Sequence, residues 1–408
     1  MTANDGAIYD VAVVGAGPAG IAAALALAHL GARVALVGPP PPKALPARPE
    51  TRTAALLTSS VDFLKRLEVW EPLIPHAAAL KVIRIIDASR SLFRSPDIAF
   101  DSRELGLEAF GYNIANTTLV EMLYARAEEI LPAVIPASVE AVQIGDREAR
   151  LTVSGDRALI ARLVAGADGR RSVCRIAAGI AVSEWRYDQA AIASSFHHTR
   201  PHDGVSTELH RESGSVTTVP MPDPLLSSLI WVGSTAEIEE VMAGDDAAFA
   251  ALLQNRLGDA LGEITAVGAR AQFPVAGLTA KQLAANRTAL IGEAAHILPP
   301  IGAQGLNLGL RDAAALAVLL AAALRRGHDP GGSSVLSAYV RARQLDVLSR
   351  TVGVDLLNRS LLTGLLPVQA ARGLVLHGLN ALAPLRRMIM RAGLAPPATL
   401  PSLMQPAA

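Results

Sequence analysis

YDVAVVGAGPAG, residues 9–20, is a mostly apolar run that ends in glycines at 15, 17 and 20 and leads into an alanine-rich segment. A short apolar run closed by a turn signal reads as a buried strand, and 18–30, PAGIAAALALAHL, reads as a helix. RVALV at 33–37 is a second buried strand, so the chain opens β-α-β with a glycine loop where a dinucleotide's phosphates bind. Gly15 permits the tight turn, Gly17 lets a pyrophosphate approach the backbone, and Gly20 lets the helix pack on the strand. Free N–H groups and the dipole at the helix start attract phosphate charge. An acid should close the second strand about 20 residues on. Here Leu36-Val37-Gly38-Pro39 contains none. One ribose acceptor is missing, and Gly38→Glu is expected to tighten the cofactor.

Composition bounds the rest. A chain of 408 residues fits two interlocked domains. With 51% hydrophobic and 18% charged residues it is not a disordered chain. Basic and acidic residues balance at 37 each, so no global charge points to nucleic acid. A single cysteine, Cys174, closes no intrachain disulfide and builds no cysteine metal site, which implies a reducing, cytoplasmic setting. The first residues carry acids ahead of any apolar run, unlike a signal peptide. The longest apolar stretch, 313–324, is too short to span a bilayer.

Further along, the prolines at 39–42, 46 and 49 demand an extended surface loop. Residues 53–67 and 117–131 read as helices, and 139–144, 149–153 and 159–165 as strands. From about 181 to 273 alternating patches such as 214–219 and 227–232 read as antiparallel strands covering a ligand. The βα texture returns with a strand at 288–292, a Pro/Gly loop, and a helix from Gln304.

Two more motifs carry chemistry. Gly166-Ala167-Asp168-Gly169 ends a strand and by itself reads as a turn; Arg170, Arg171 and Arg175 follow it, and surface arginines commonly only solvate. The other is Gly292-Glu293-Ala294-Ala295-His296, followed by PPIGAQGLNLGLRD at 299–312. Glu293 after a strand can accept hydrogen bonds from a polyol. Gly302 and Gly305 bring backbone N–H groups near a ligand, and the following helix points its positive end there. That arrangement suits a flavin, whose N1–C2=O edge becomes negative on reduction. His296 reads as structural: no Ser or Cys nucleophile and no metal-ligand spacing accompanies it.

In this order and spacing the three motifs resemble those of the class A FAD-dependent aromatic monooxygenases with the p-hydroxybenzoate hydroxylase fold. The chain is most similar there to the ubiquinone-biosynthesis hydroxylases, through RTAAL at 52–56, FGYNI at 110–114 and GAQGLNLGLRD at 302–312. The resemblance spans about residues 10–391. It implies an α/β fold: a Rossmann-like FAD-binding domain (1–80, 104–180 and 284–350), an inserted, mostly antiparallel β-sheet substrate domain (81–103 and 181–283) and a helical C-terminal tail (351–408). It implies non-covalent FAD held by Gly15, Gly17, Gly20, Arg52, Asp168, Glu293, Pro299, Gly302, Gly305, Leu306 and Asn307. The family usually has Glu where Gly38 stands and Asp where Glu293 stands. Losing a charge-assisted hydrogen bond at 38 costs about 1.5–3 kcal/mol.

The chemistry implied is ring hydroxylation of a polyprenylated phenol in ubiquinone biosynthesis through a C4a-hydroperoxyflavin. O2 and electrons from NAD(P)H or a reductase protein are consumed, and no metal is required. No side chain stands out as a catalytic acid or base. The competing readings are a hydroxylase of a soluble aromatic and a non-catalytic flavin-binding member of a biosynthetic complex. Finally, the chain from Leu356 onward contains no acid and five arginines, Arg359, Arg372, Arg386, Arg387 and Arg391. This tail is expected to dock on the acidic body, or to lie peripherally on the inner face of an anionic membrane.

Overall fold

The computed structural model describes residues 8–41, 51–87, 97–155, 157–211, 214–362, 377–379, 381–394 and 400–406. Most of the expected Pro-rich loop (42–50) and Arg372 lie outside them. The first part of the chain forms β1 (Ile8–Val14), α1 (Pro18–His29), β2 (Val34–Val37), β3 (Thr53–Leu57), α2 (Thr58–Arg66), α3 (Trp70–Leu73), β4 (Ala77–Ala79), β5 (Val82–Asp87) and β6 (Ile98–Asp101). Then come β7 (Gly111–Ala115), α4 (Asn116–Ile130), β8 (Ala133–Ile135), β9 (Val139–Ile144), β10 (Ala149–Val153), β11 (Arg157–Gly166) and α5 (Val173–Ala177). The middle holds β12 (Val182–His198), β13 (Val205–Arg211), β14 (Gly214–Pro220), β15 (Leu226–Ser234), α6 (Thr235–Ala243), α7 (Asp246–Leu257), β16 (Ile264–Val267) and β17 (Ala271–Ala280). Last are β18 (Ala284–Ala285), β19 (Thr288–Leu290), β20 (His296–Ile297), α8 (Gln304–Arg325), α9 (Ser333–Leu362) and α10 (Ala383–Leu394).

The first sheet runs β18-β19-β11-β1-β2-β8, with β10 and β9 as an antiparallel extension beside β11. β1 pairs in parallel with both β2 and β11. Val11 and Val13 enter one core and Ala12 and Val14 the other, so this half of β1 is buried on both faces and its sequence is continuously apolar. On one side α1 is buried from Gly20 through Leu27 and packs against α8. Its small alanines permit that close approach. α8 is, among the described residues, the one helix long and apolar enough to cross a membrane, but 78% of its apolar window is buried inside the protein.

The second sheet runs β20-β17-β12-β15-β14-β13-β5-β6, with β16 beside β12. It is antiparallel except for β13 against β5. α6 and α7 cover one face through Ile192, Phe196, Leu229 and Trp231 against Phe249 and Leu253. The other face carries Ala191, Ile230, Val232, Phe273 and Val275. A third sheet, β3-β7-β4, meets that face. Thr53 Oγ1 lies 3.0 Å from Ser228 Oγ, and Asn113 Nδ2 donates to Pro220 O at 2.9 Å.

This third sheet corrects the expected helix at 53–67. Residues 53–57 are a strand paired with β7, and the helix starts at Thr58. Five small and apolar residues fit either state; Gly111–Ala115 alongside decides for the strand. The two stretches RTAAL and FGYNI are thus cross-strand neighbours, with Ala55 opposite Asn113. At the other end α9 carries the chain past residue 351 without a break.

Candidate active site

The glycine loop forms as the residue types dictate. Gly15, at φ +114, turns the chain out of β1, and its N–H donates to Val37 O at 2.7 Å. A Cβ there would stand 2.2 Å from Ala167 O, and one on Gly20 would stand 2.1 Å from Gly15 O. Both positions exclude any side chain for reasons internal to the fold. Gly17 differs: it is the N-cap of α1, and a Cβ there would meet no atom within 4 Å. Two cavities of about 460 Å³ each share Gly17 and Ala167 as lining. One extends past Gly38 and Pro39 to Arg171; the other extends past Arg52 and Glu293 to Leu306. Together they make a cleft along the C-terminal ends of β1, β2 and β11, the place where open parallel sheets bind nucleotides.

Gly38 overturns one expectation. A Cβ on it would lie 2.5 Å from Ala16 N and 2.8 Å from Ala16 Cβ, so no carboxylate can be added there without moving the phosphate loop. Gly38→Glu is therefore expected to lower flavin content rather than tighten the cofactor. Flavin-to-protein absorbance ratios decide it: a ratio above that of the unaltered chain restores the missing-acceptor reading.

At the second motif, Asp168 lies on the wall of the first cavity, but both carboxylate oxygens are engaged by the segment that follows. Ser172 Oγ donates to one at 2.6 Å and Cys174 N to the other at 3.1 Å. Ser172 in turn caps α5, accepting from Arg175 N at 2.8 Å. Arg175 does not solvate a surface. It is buried and donates to Ala294 O at 2.8 Å and Arg170 O at 2.7 Å, which rivets the second motif to the third. Burial, with Asp168 beside it, pushes the Cys174 thiol well above its ordinary range, which makes it an inert core side chain.

The third motif supplies the far wall. Glu293 lines the cleft, is exposed, and has no hydrogen bond or ion pair among the described residues. Gly305 and Leu306 line the same cavity at the start of α8, whose first turn follows Ala303 in the left-handed conformation (φ 54). Gly302 is also left-handed, at φ 63, and Pro299 O accepts from Ile301 N at 2.7 Å. These two shape the loop behind the wall. Asn307 is fully buried and its amide is spent internally. Oδ1 accepts from Leu57 N and Ser60 Oγ, and Nδ2 donates to Ala55 O and Ala303 O. It clamps β3 and α2 to α8. Arg52 lines the cleft, its guanidinium 5.3 Å from the Phe273 ring centroid.

Sequence reasoning missed four participants. Asn116 and Gly309 line the cleft. A Cβ on Gly309 would stand 3.1 Å from Gly292 Cα, so glycine there lets α8 lie close against the strand end. Asp312 and Arg343 lie behind the wall. Asp312 accepts from His296 Nε2 at 2.6 Å, Gly292 N at 3.1 Å and Arg343 Nε at 2.8 Å. Arg343 also donates to Asp346, beside Arg311 and Arg350. Burial pushes the Asp312 carboxyl up, but the charges and hydrogen bonds of His296 and Arg343 outweigh it and hold it below the usual carboxylate range. Burial pulls Arg311 down to about 10 despite Asp346. His296, expected to be structural, is held by Asp312 with its side chain fully buried, beside the cleft. The sequence carries two local traces of this network, Asp346 with Arg343 at i, i+3 and with Arg350 at i, i+4, while the contacts to Asp312 and Arg311 come from another helix.

The residues present fit a flavin dinucleotide: a phosphate loop whose outward glycine faces open space, an unengaged carboxylate, and a helix N-terminus, all on one cleft. That defines a flavin-dinucleotide-binding protein. The chain matches the FAD binding domain family over residues 8–351. It is 32% identical to ubiquinone hydroxylase UbiL of Rhodospirillum rubrum, covering 96% of this chain and 90% of that protein. It is 30% identical to 3-demethoxyubiquinol 3-hydroxylase of Escherichia coli, covering 94% and 98%. The p-nitrophenol 4-monooxygenase PnpA of Pseudomonas putida superposes with a TM-score of 0.75 at 20% identity over 95% of this chain and 98% of that one, which shows the shared fold. The chain belongs to the FAD-dependent monooxygenase family that includes these ubiquinone hydroxylases.

Proposed function

We propose that this chain hydroxylates the aromatic ring of a polyprenylated phenol on the route to ubiquinone, with FAD, O2 and electrons from NAD(P)H or a reductase protein. The observation that carries the reading is the meeting of three distant motifs on one cleft, in a chain 32% identical to a ubiquinone hydroxylase. Bound FAD would supply the O2 activation that amino-acid side chains lack.

The chain's own part is placement and exclusion of water. The backbone at Gly17 and the N–H groups opening α1 receive the pyrophosphate. Glu293 accepts from ribityl hydroxyls. The positive end of α8, at Gly305 and Leu306, faces the flavin edge that gains charge on reduction. Gly15 and Gly20 hold the loop, Asp168 and Asn307 brace the segments around the cleft, and Pro299 and Gly302 shape its far wall. Arg52 stands between the cofactor wall and Phe273. The apolar face of the second sheet, with Ile230, Val232 and Phe273, keeps the reacting ring dry. The division of labour follows 1–80, 104–180 and 284–350 for FAD, 81–103 and 181–283 for substrate, and 351–408 as tail. The chain works at the inner face of a membrane, in peripheral contact or within a quinone-biosynthesis complex.

The purified protein should be yellow and release FAD on denaturation. It should consume O2 in response to a prenylated phenol and rescue ubiquinone synthesis in a hydroxylase-deficient strain, with intermediates identified by mass. A colourless protein that FAD cannot reconstitute, or O2 uptake indifferent to the phenol, defeats the reading.

A further inference from the structure

We propose that the outward faces of α9 and α10 form a docking surface for an anionic lipid bilayer; this rests on the reading above that the substrate is a membrane-resident phenol. On α9, Leu345, Leu348, Val352 and Leu356 are 72, 52, 46 and 61% exposed. At 100° per residue they fall within about 80° of arc, and Arg341 and Arg359 lie in the same arc at either end. Four large apolar side chains in one exposed row on a helix whose opposite side is core call for an occupant. Leu348 also lines a groove of about 740 Å³ of mixed polarity, in which Leu283, Leu336 and Val340 stand beside Lys281 and Arg341.

α10 adds a second outward face. Its inner side docks on the body: Met390, Leu385 and Leu394 pack with Ile98, Phe100 and Phe110, and Arg386 binds Glu104 at 2.9 Å. Outward stand Met388, 59% exposed, and Arg387 and Arg391, both exposed and without an ion pair among the described residues. Arg350 of α9 donates to Ala392 O and Gly393 O, so the two helices are adjacent.

Charge selects the occupant. The only acids on the two helices are Asp346, buried among arginines, and Asp355, engaged by Tyr187 and Arg359. A second copy meeting this face about a two-fold axis would set arginines against arginines with no carboxylate between them. A bilayer carrying anionic headgroups accepts both the cations and the apolar row. Arg386, counted among the membrane-facing charges from sequence, is not one of them; Glu104 holds it.

The test uses the full, flavin-loaded chain and two double variants, Arg387→Gln with Arg391→Gln and Leu348→Asp with Leu356→Asp. Each is co-sedimented with phosphatidylcholine vesicles with and without phosphatidylglycerol, at low and high salt. The unaltered chain should bind the anionic vesicles and lose binding with salt. The arginine variant should bind about thirtyfold more weakly, from roughly fivefold per arginine, and the leucine variant at least about tenfold more weakly. Both should keep the unaltered rate of O2 uptake with a short-chain phenol in detergent. That assay reads the proposed reaction alone, so its failure in the unaltered chain leaves the vesicle result standing. No binding by the unaltered chain, or equal binding by both variants, overturns the proposal. So does a leucine variant that turns a dimer into a monomer in sedimentation velocity, which gives the face to a second copy.

Discussion

Gly17→Val is expected to yield a folded, soluble and colourless protein. The space a side chain would enter at Gly17 holds no protein atom within 4 Å, so the substitution meets nothing in the chain itself. It meets the ligand. Valine there pushes the pyrophosphate off the N–H groups that open α1, removing at least two charge-assisted hydrogen bonds of about 1.5–3 kcal/mol each. FAD affinity should fall by roughly two to four orders of magnitude. Gly20→Val is the contrasting variant: its Cβ would stand 2.1 Å from Gly15 O, so it should fail to accumulate as soluble protein. Isothermal titration of apoprotein with FAD, beside circular dichroism, separates the two. Full flavin content in Gly17→Val would remove the glycine loop from the phosphate site.

Asp312→Ala should be the most damaging single change outside the cleft. It strips the partner from His296, Arg343 and Gly292 N at once, at a fully buried position. Breaking a buried ion pair from one side costs about 3–5 kcal/mol, because the remaining charge stays buried and uncompensated. The surroundings are already short of acceptors, since Arg311 Nη1 and Nη2 and Arg343 Nη2 have no hydrogen-bond partner among the described residues. The lost contact to Gly292 also frees the segment that carries Glu293, so flavin should be lost together with a lower Tm. The pH dependence has a defined sign. Asp312 and Asp346 are both held below the ordinary value of 3.8 in the folded chain. Their stabilisation is complete above that value and disappears as pH falls through their lowered folded values. Asp312→Asn should show less of this acid-side loss than the unaltered chain. A Tm and flavin content unchanged in Asp312→Ala would show that the network bears no load at the site.

The two variants mark how far the sequence could be read. A glycine fingerprint needs only local backbone geometry, so strand, loop and helix from Ile8 to His29 were legible as a phosphate-binding opening. The buried parallel strands were legible because both faces of β1 are covered from Val11 to Val14 and each of those positions is apolar. The order of the three motifs likewise sufficed for the flavin and the fold family, because each is contiguous in the chain.

Tertiary structure alone decided the rest, wherever the partner lies far along the chain. Residues 53–57 became a strand because β7, more than fifty residues on, offers a ladder edge. Gly38 excludes a carboxylate because the loop at Ala16 folds back against it, a distance no spacing rule encodes. Asn307 looks like a ligand in a motif, yet most of its amide's hydrogen bonds go to Ala55, Leu57 and Ser60, about 250 residues back in the chain. Asp312 reads as one charge on a helix until α9 packs Arg343 beside it. Buried polar groups must find partners, and the chain fold, not the residue type, chooses which.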